Sequence, residues 1–280
     1  MTEALRKYLK EQGIEYYAVM DYEVLRETNP QIIEREDFTP KSAIIYILPY
    51  YAGETVNISR YAASLDYHKI ISEINEGIKN ALRLDFPEGK MHGYGDHSPI
   101  DERHAALIAG LGILGDNGLL INEKYGSYIF IGDVLTDISP ELLCAKPPQQ
   151  IRKCSGCGAC KRACPTGVLR GEGGNCLSAI TQKKGELKYE EISLMRSYNT
   201  VWGCDECQSR CPCNNDPVIT PIGFFKRDWI PHLTRELLDM MTKEEFKSRA
   251  FAWRGRKTIE RNLDLLENTN NNCQKVEKQC

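Results

Sequence analysis

Twelve cysteines stand in this 280-residue chain, and nine of them lie between Cys154 and Cys213. The densest run is Cys154-Ser-Gly-Cys157-Gly-Ala-Cys160-Lys-Arg-Ala-Cys164-Pro165. Three thiolates at two-residue intervals can cap one face of a [4Fe-4S] cube, while a fourth, followed by proline, points away to another cluster. Proline fixes the turn and ends backbone pairing. Gly156 and Gly158 let the loop wrap closely around an inorganic core. The chemistry of such a run is low-potential electron transfer.

A second run, Cys204-Asp-Glu-Cys207-Gln-Ser-Arg-Cys211-Pro212, is one cysteine shorter, and isolated Cys176 is the candidate for the missing ligand. Cross-ligation then predicts two sets of four. One cluster takes Cys154, Cys157, Cys160 and Cys211; the other takes Cys164, Cys176, Cys204 and Cys207. Two structural zinc sites are the competing reading, but zinc favours separated C-x2-C pairs over three close cysteines with a fourth before proline. Cys213 competes with Cys211, although only Cys211 precedes a proline, and it is also the alternative to Cys176. Cys144, Cys273 and Cys280 read as free thiols.

The elements that must hold these residues are of two kinds. Before Pro147-Pro148 the chain alternates between helical and strand patterns. Residues 2–13 predict a helix and 14–20 a strand; 42–48 is a short apolar run, hence a buried strand. Ile70, Ile71, Ile74, Ile78 and Leu82 give helical spacing over 66–83. A further helix over 101–113 and a strand over 128–135 complete a sheet covered by helices. The cysteine-rich stretch has few large apolar residues and needs metal to fold. Beyond Pro221 come two short helices, near 232–241 and 243–250, then a basic stretch with Arg249, Arg254, Arg256, Lys257 and Arg261. The polar tail from Asn268 reads as disordered. The predicted class is α+β: an N-terminal mixed sheet flanked by helices (1–146), a bacterial-ferredoxin-like double [4Fe-4S] module (147–220) and a short helical C-terminal segment with its tail (221–280).

Composition narrows the partners. A net charge of −3 gives no global basic field for nucleic acid, which leaves only a local patch. No apolar run approaches the roughly 20 residues of a membrane span, and the opening residues lack the apolar centre of a secretory signal. A cytoplasmic monomer without membrane contact is expected, and in that reducing compartment cysteines serve metals rather than disulfides.

The ordered motifs extend well outside the cysteines. They are Asp66-Tyr67-His68, Asp96-x-x-Pro99-x-x-Glu102-Arg103, Gly110-Leu-Gly-Ile-Leu-Gly115-Asp-Asn117, Tyr125-Gly-Ser127 and Leu135-Thr-Asp137. After the first cysteine run follow Cys176-Leu-Ser178-x-x-Thr181-Gln182 and Gly203-Cys204-Asp205-x-Cys207-Gln208. From about residue 40 to 262 this order resembles the epoxyqueuosine reductase family, cobalamin-dependent iron–sulfur enzymes of queuosine synthesis in tRNA. The resemblance implies a cobalamin between the N-terminal domain and the cluster module. It implies electrons relayed through two [4Fe-4S] clusters to cobalt, from a low-potential donor such as ferredoxin or flavodoxin. The substrate would be epoxyqueuosine in the tRNA anticodon, reduced to queuosine. The family's proton donor, an aspartate of the Asp-x-x-Pro-x-x-Glu-Arg motif, falls on Asp96.

Expelling an epoxide oxygen requires a proton, and burial beside an apolar face would keep a carboxylic acid protonated. The competing role for Asp96 is a helix N-cap ahead of Pro99-Ile100-Asp101-Glu102. Tyr61, Ser178 and Gln182 are further cofactor-contact candidates beside Asp96, with packing or turn roles as the alternative. His68 is not assigned to cobalt, because Ile71 stands where a D-x-H-x-x-G motif has glycine; a polar cluster at a helix start is preferred.

Three departures from the family stand out. Asp116 replaces a usual lysine, His97 follows Asp96 where Ser or Thr is frequent, and the sequence ends soon after Arg261-Asn262, where longer members carry a HEAT-like repeat that grips tRNA. The basic residues near Trp253 either contact phosphates or form a solvated helix face. Two other functions compete with the first: a cobalamin-dependent reductase of a small molecule, and a plain iron–sulfur electron carrier.

Overall fold

The computed structural model describes residues 2–277, with side chains through Glu267. The chain divides into two compact units that interleave in sequence. The first comprises Met1–Tyr50, Tyr67–Cys157 and Asp216–Ile222; the second comprises Tyr51–Asp66, Gly158–Asn215 and the chain from Gly223 onward. This differs from the contiguous division 1–146, 147–220 and 221–280 expected from composition. Composition shifts mark where cysteines begin, whereas Tyr51–Asp66 is assigned by its hydrogen bonds to residues far along the chain.

The first unit is built on four strands in the order β1 (Tyr17–Asp21), β2 (Ser42–Pro49), β6 (Ile129–Thr136), β3 (Met91–Tyr94). Every pair is antiparallel, where the sequence predicts a mixed sheet. The helical crossover accounts for the difference. Helix α3 (Tyr67–Arg83) leads from β2 toward β3, two strands that share a direction, and β6 inserts between them antiparallel to both. β2 is buried at every position, as its continuous apolar run requires. Opposite Tyr46 stands Gly132, where a Cβ would come within 2.4 Å of the tyrosine ring. The Tyr46 hydroxyl donates to Asn75 Oδ1 at 2.8 Å, and Asn75 Nδ2 donates to the Tyr94 carbonyl at 3.1 Å. Those bonds fix α3 on the sheet.

Helix α1 (Glu3–Glu11) and a single turn, α2 (Pro30–Ile33), precede these elements. Helix α4 (Glu102–Ile108) buries Ala105, Ala106, Leu107 and Ile108 in the core with Ala18, Ile45 and Leu135. It ends sooner than the predicted 113, because the left-handed Gly110 stops it. A small hairpin follows, β4 (Ile113–Leu114) with β5 (Leu120–Ile121).

The second unit carries α5 (Ala159–Ala163), α6 (Leu177–Thr181), α7 (Tyr189–Ser197), α8 (Glu206–Ser209), α9 (Arg235–Met240), α10 (Lys243–Lys247) and α11 (Arg256–Glu277). Around the cysteines the apolar core is small: Leu177, Ile180 and Met195. Polar bonds supplement it. Asn262, fully buried, donates to the Thr181 carbonyl at 2.7 Å and the Val201 carbonyl at 2.8 Å. Asn57 Nδ2 donates to the Leu233 carbonyl, and the Leu233 N–H returns to Asn57 Oδ1. Helix α11 continues to Glu277, past Asn268 where the sequence predicts disorder; asparagine-rich composition argues against a packed core but does not forbid a polar helix. The side chain of Cys273 and the whole of Cys280 lie outside the described residues.

Candidate functional site

In the first unit the Asp96 loop sits between β3 and α4. The helix cap is not Asp96. Asp101 takes that place, its carboxylate accepting the His104 N–H at 2.9 Å. Asp96 instead adopts a left-handed φ of +64°, a conformation that costs a non-glycine residue on the order of 1 kcal/mol. Its own N–H donates to Glu102 Oε1 at 3.0 Å, and its side chain is 54% exposed. The Tyr67 hydroxyl donates to Asp96 Oδ2, and His68 Nε2 lies 3.6 Å from the same oxygen. The Tyr67 ring is stacked on Phe130 at 4.0 Å and on His68 at 4.3 Å, so its hydroxyl is held in place. A carboxyl flanked by a phenol and an imidazole can give up and recover a proton. His97, by contrast, is exposed, as is Asp116.

Two acids lie behind this loop. Burial pushes the Glu102 carboxyl up to about 9, reinforced by the charges of Asp133 and Asp96. Complete burial pushes Asp133 up to about 7, while the Ser98 hydroxyl and the adjoining Glu102 carboxyl act the other way.

In the second unit Tyr61, Ser178 and Gln182 meet. Gln182 Nε2 donates to Ser178 Oγ at 3.0 Å and to the Tyr61 hydroxyl at 3.5 Å, and the indole N–H of buried Trp202 donates to that hydroxyl at 2.9 Å. Ser178 and Gln182 share a face because they are four residues apart across α6 and its C-cap. Asp205 adds an anchor. It accepts the Ser59 hydroxyl at 2.5 Å and the Arg60 N–H at 2.8 Å, and pairs with the Arg60 guanidinium at 3.1 Å. Beside it a cavity of about 140 Å³ is lined by Ser59, Asp205, Cys204 and Leu177.

None of the ten described cysteines is joined in a disulfide. The unit boundary falls inside the first run, so Cys154 and Cys157 belong to the first unit and Cys160 through Cys213 to the second. Gly156 and Gly158 are both left-handed, as a tight loop requires. Burial opposes ionisation of Cys164, but the N–H groups of Leu169, Thr166 and Gly167 and the Thr166 hydroxyl outweigh it and hold the thiol below its ordinary value. Such an N–H cradle suits a metal-bound thiolate. Burial pushes the Cys204 thiol up to about 12, and charges on nearby Cys176 and Cys207 act in the same direction. Cys176 and Cys207 thus each act on Cys204, whereas Cys213 is exposed one residue past Pro212.

Sequence reasoning named the Tyr67 and Glu102 motifs without giving either residue a role. Their signal was the motif spacing; contact with Asp96 is a tertiary fact. Three residues of the basic stretch are engaged by backbone carbonyls, while Lys257 is exposed and Arg254 lies over the Trp253 ring. Arg249 donates to the Asp228 carbonyl at 2.5 Å, Arg256 to the Leu238 carbonyl at 2.7 Å and Arg261 to the Lys183 carbonyl at 2.8 Å. These guanidiniums staple loops and helix ends.

Residues 153–214 match the family described as a 4Fe-4S double cluster binding domain. The chain is thus an iron–sulfur protein that holds two [4Fe-4S] clusters. The epoxyqueuosine reductase of Listeria monocytogenes is 30% identical over 285 residues, covering 93% of this chain and 72% of that protein. That of Pseudomonas aeruginosa is 33% identical over 202 residues, covering 70% of this chain and 55% of its own length. The chain belongs to the epoxyqueuosine reductase family. Its fold is that of solved members. The structure from Streptococcus thermophilus aligns with a TM-score of 0.72 at 24% identity, over 94% of this chain and 79% of that one. A crystal structure of an epoxyqueuosine reductase with an epoxyqueuosine-modified tRNA stem loop aligns at 0.74 and 23% identity, over 94% and 80% of the two chains. No helix among the described residues is long and apolar enough to cross a membrane.

Proposed function

We propose that this chain reduces epoxyqueuosine to queuosine in tRNA. Electrons enter from a low-potential donor such as ferredoxin or flavodoxin and pass through the two [4Fe-4S] clusters to a cobalamin, and Asp96 supplies a proton. The observation behind this reading is the Asp96 loop: the competing cap role belongs to Asp101, and the Asp96 carboxyl stands exposed against Tyr67 and His68.

Cobalamin, when bound, supplies the two-electron reducing centre. Tyr61, Ser178 and Gln182 are the polar groups of the second unit proposed to contact it; they form one hydrogen-bonded set, half-buried, with hydroxyl and amide atoms suited to a corrin's amide side chains. Asp96 donates to the departing epoxide oxygen, Tyr67 orients its carboxyl, and His68 is placed to return the proton. Two electrons and two protons convert the epoxide to an alkene and water. The ligand sets are Cys154, Cys157, Cys160 and Cys211 on one cluster, with Cys164, Cys176, Cys204 and Cys207 on the other. The electrostatic action of both Cys176 and Cys207 on Cys204 supports the second set. We place the enzyme in the cytoplasm as a monomer.

The test is turnover of an epoxyqueuosine-modified tRNA stem loop by the anaerobically reconstituted chain with cobalamin and a low-potential reductant, read by nucleoside mass spectrometry. Queuosine should form. Asp96→Asn should keep its iron and bind cobalamin yet lose roughly 10²–10⁴-fold in turnover. Undiminished turnover would remove the donor role. Failure to bind cobalamin would sink the whole reading, and binding without queuosine formation would point to a smaller substrate.

A further inference from the structure

Glu102 and Asp133 form an acidic pair for which the reaction above has no use. Asp133 sits on β6, opposite Ile45 of β2 and Tyr94 of β3, with no exposure to solvent. Its Oδ2 accepts the Ser98 hydroxyl at 3.1 Å. Its Oδ1 is buried and receives no N–H or O–H donor among the described residues. The Glu102 carboxyl faces it from the first turn of α4. Among the described residues no cation stands among the causes that shift either acid; the groups that do act on or answer to them are the phenols of Tyr22, Tyr46 and Tyr94 and the carboxyls of Asp96 and Asp101. Arg103, the next residue, points elsewhere and donates to the Gly118 carbonyl at 2.6 Å.

Two adjoining carboxylates in a cation-free interior cannot both be charged. A proton on Glu102 gives Asp133 Oδ1 its missing donor and leaves Glu102 Oε1 free to accept the Asp96 N–H. We infer that Glu102 and Asp133 hold one proton between them, and that Glu102 is the positioning residue that keeps Asp96 in its left-handed conformation. The second half rests on the reading of Asp96 as proton donor; the first half does not. The shared proton stays on the pair through turnover, since Asp96 gives its own.

Gln at position 102 can accept from Asp96 and donate to Asp133, so Glu102→Gln mimics the protonated acid, whereas Glu102→Leu does neither. Infrared difference spectra of the cluster-loaded chain at about pH 8 should show a protonated carboxyl band in the wild type and in Asp96→Asn that Glu102→Gln removes. Amide exchange at Asp96 should stay slow in Glu102→Gln and accelerate about 10-fold or more in Glu102→Leu. Turnover should remain near wild type in Glu102→Gln and drop about 100-fold in Glu102→Leu. In alkaline solution Glu102→Gln should hold activity where the wild type declines, because it has no proton to lose. Absence of the carboxyl band overturns the shared proton. Equal impairment of the Gln and Leu variants in exchange and turnover overturns the positioning role. Should Glu102→Leu not fold, fast Asp96 exchange in Glu102→Gln overturns that role instead. Full turnover of Asp96→Asn would refute the donor reading while leaving the infrared and exchange results standing.

Discussion

The sheet of the first unit and the cysteine-bearing part of the second solve the same problem with different materials. The sheet buries a continuous apolar strand, Ser42–Pro49, against a helix carrying four consecutive buried residues, Ala105 to Ile108. It can therefore tolerate two acids in its interior, provided that a proton neutralises one of them. The cysteine segment gathers a smaller apolar cluster, Leu177, Ile180 and Met195, beside the buried Val201 and Trp202. It relies on carbonyls capped by Asn262 and Arg261, on the Arg60–Asp205 pair, and on iron. In this chain the proposed proton donor thus stands on a scaffold with a continuous apolar core, and the cluster ligands stand on one held largely by polar bonds.

The contrast breaks most readily at the metal. Cys176→Ala should lose about four irons per chain and speed amide exchange across α6 and α8, while β2 and β6 keep their protection. An unchanged iron count would make Cys213 or another residue the ligand; loss of sheet protection would remove the distinction between the regions. A smaller effect is expected from Asn262→Ala, which strips donors from two buried carbonyls and should destabilise the second unit by about 2–4 kcal/mol, read as a shift in the denaturant midpoint at unchanged iron content. Equal loss of stability in both units would mean that they unfold as one. The smallest effect is pH. Glu102 and Asp133 bind protons more tightly folded than unfolded, so their stabilisation is complete below about pH 4 and is lost as pH rises through about 7 and 9. The urea midpoint of the sheet should fall across that window, and Asp133→Asn should flatten the decline; a rising midpoint would contradict the sign.

What the sequence made legible follows the same division. Cysteine spacing is a local code, so the double-cluster segment could be read without tertiary knowledge, as could helix α3 from its five apolar positions. Strand β3 was not legible: Met91-His-Gly-Tyr94 is short and interrupted by a glycine whose Cβ would strike Asn75. The mixed sheet was misjudged because alternating elements specify a crossover but not which strand later fills the gap. Asp96 was found only through its motif, since Asp101 five residues on is an equally good cap in composition. The arginines of the C-terminal stretch could not be read at all, because whether a guanidinium meets a phosphate or a backbone carbonyl depends on loops that are distant in sequence.

The interleaving of the two units also sets a timetable for synthesis. The cysteine segment ends near residue 215, but Asn262, which caps its carbonyls at Thr181 and Val201, emerges roughly 50 residues later. At about 5–20 residues per second, those carbonyls wait several seconds for the side chain that caps them. Iron delivery during that interval meets a segment whose carbonyls at Thr181 and Val201 still lack the donor that α11 brings.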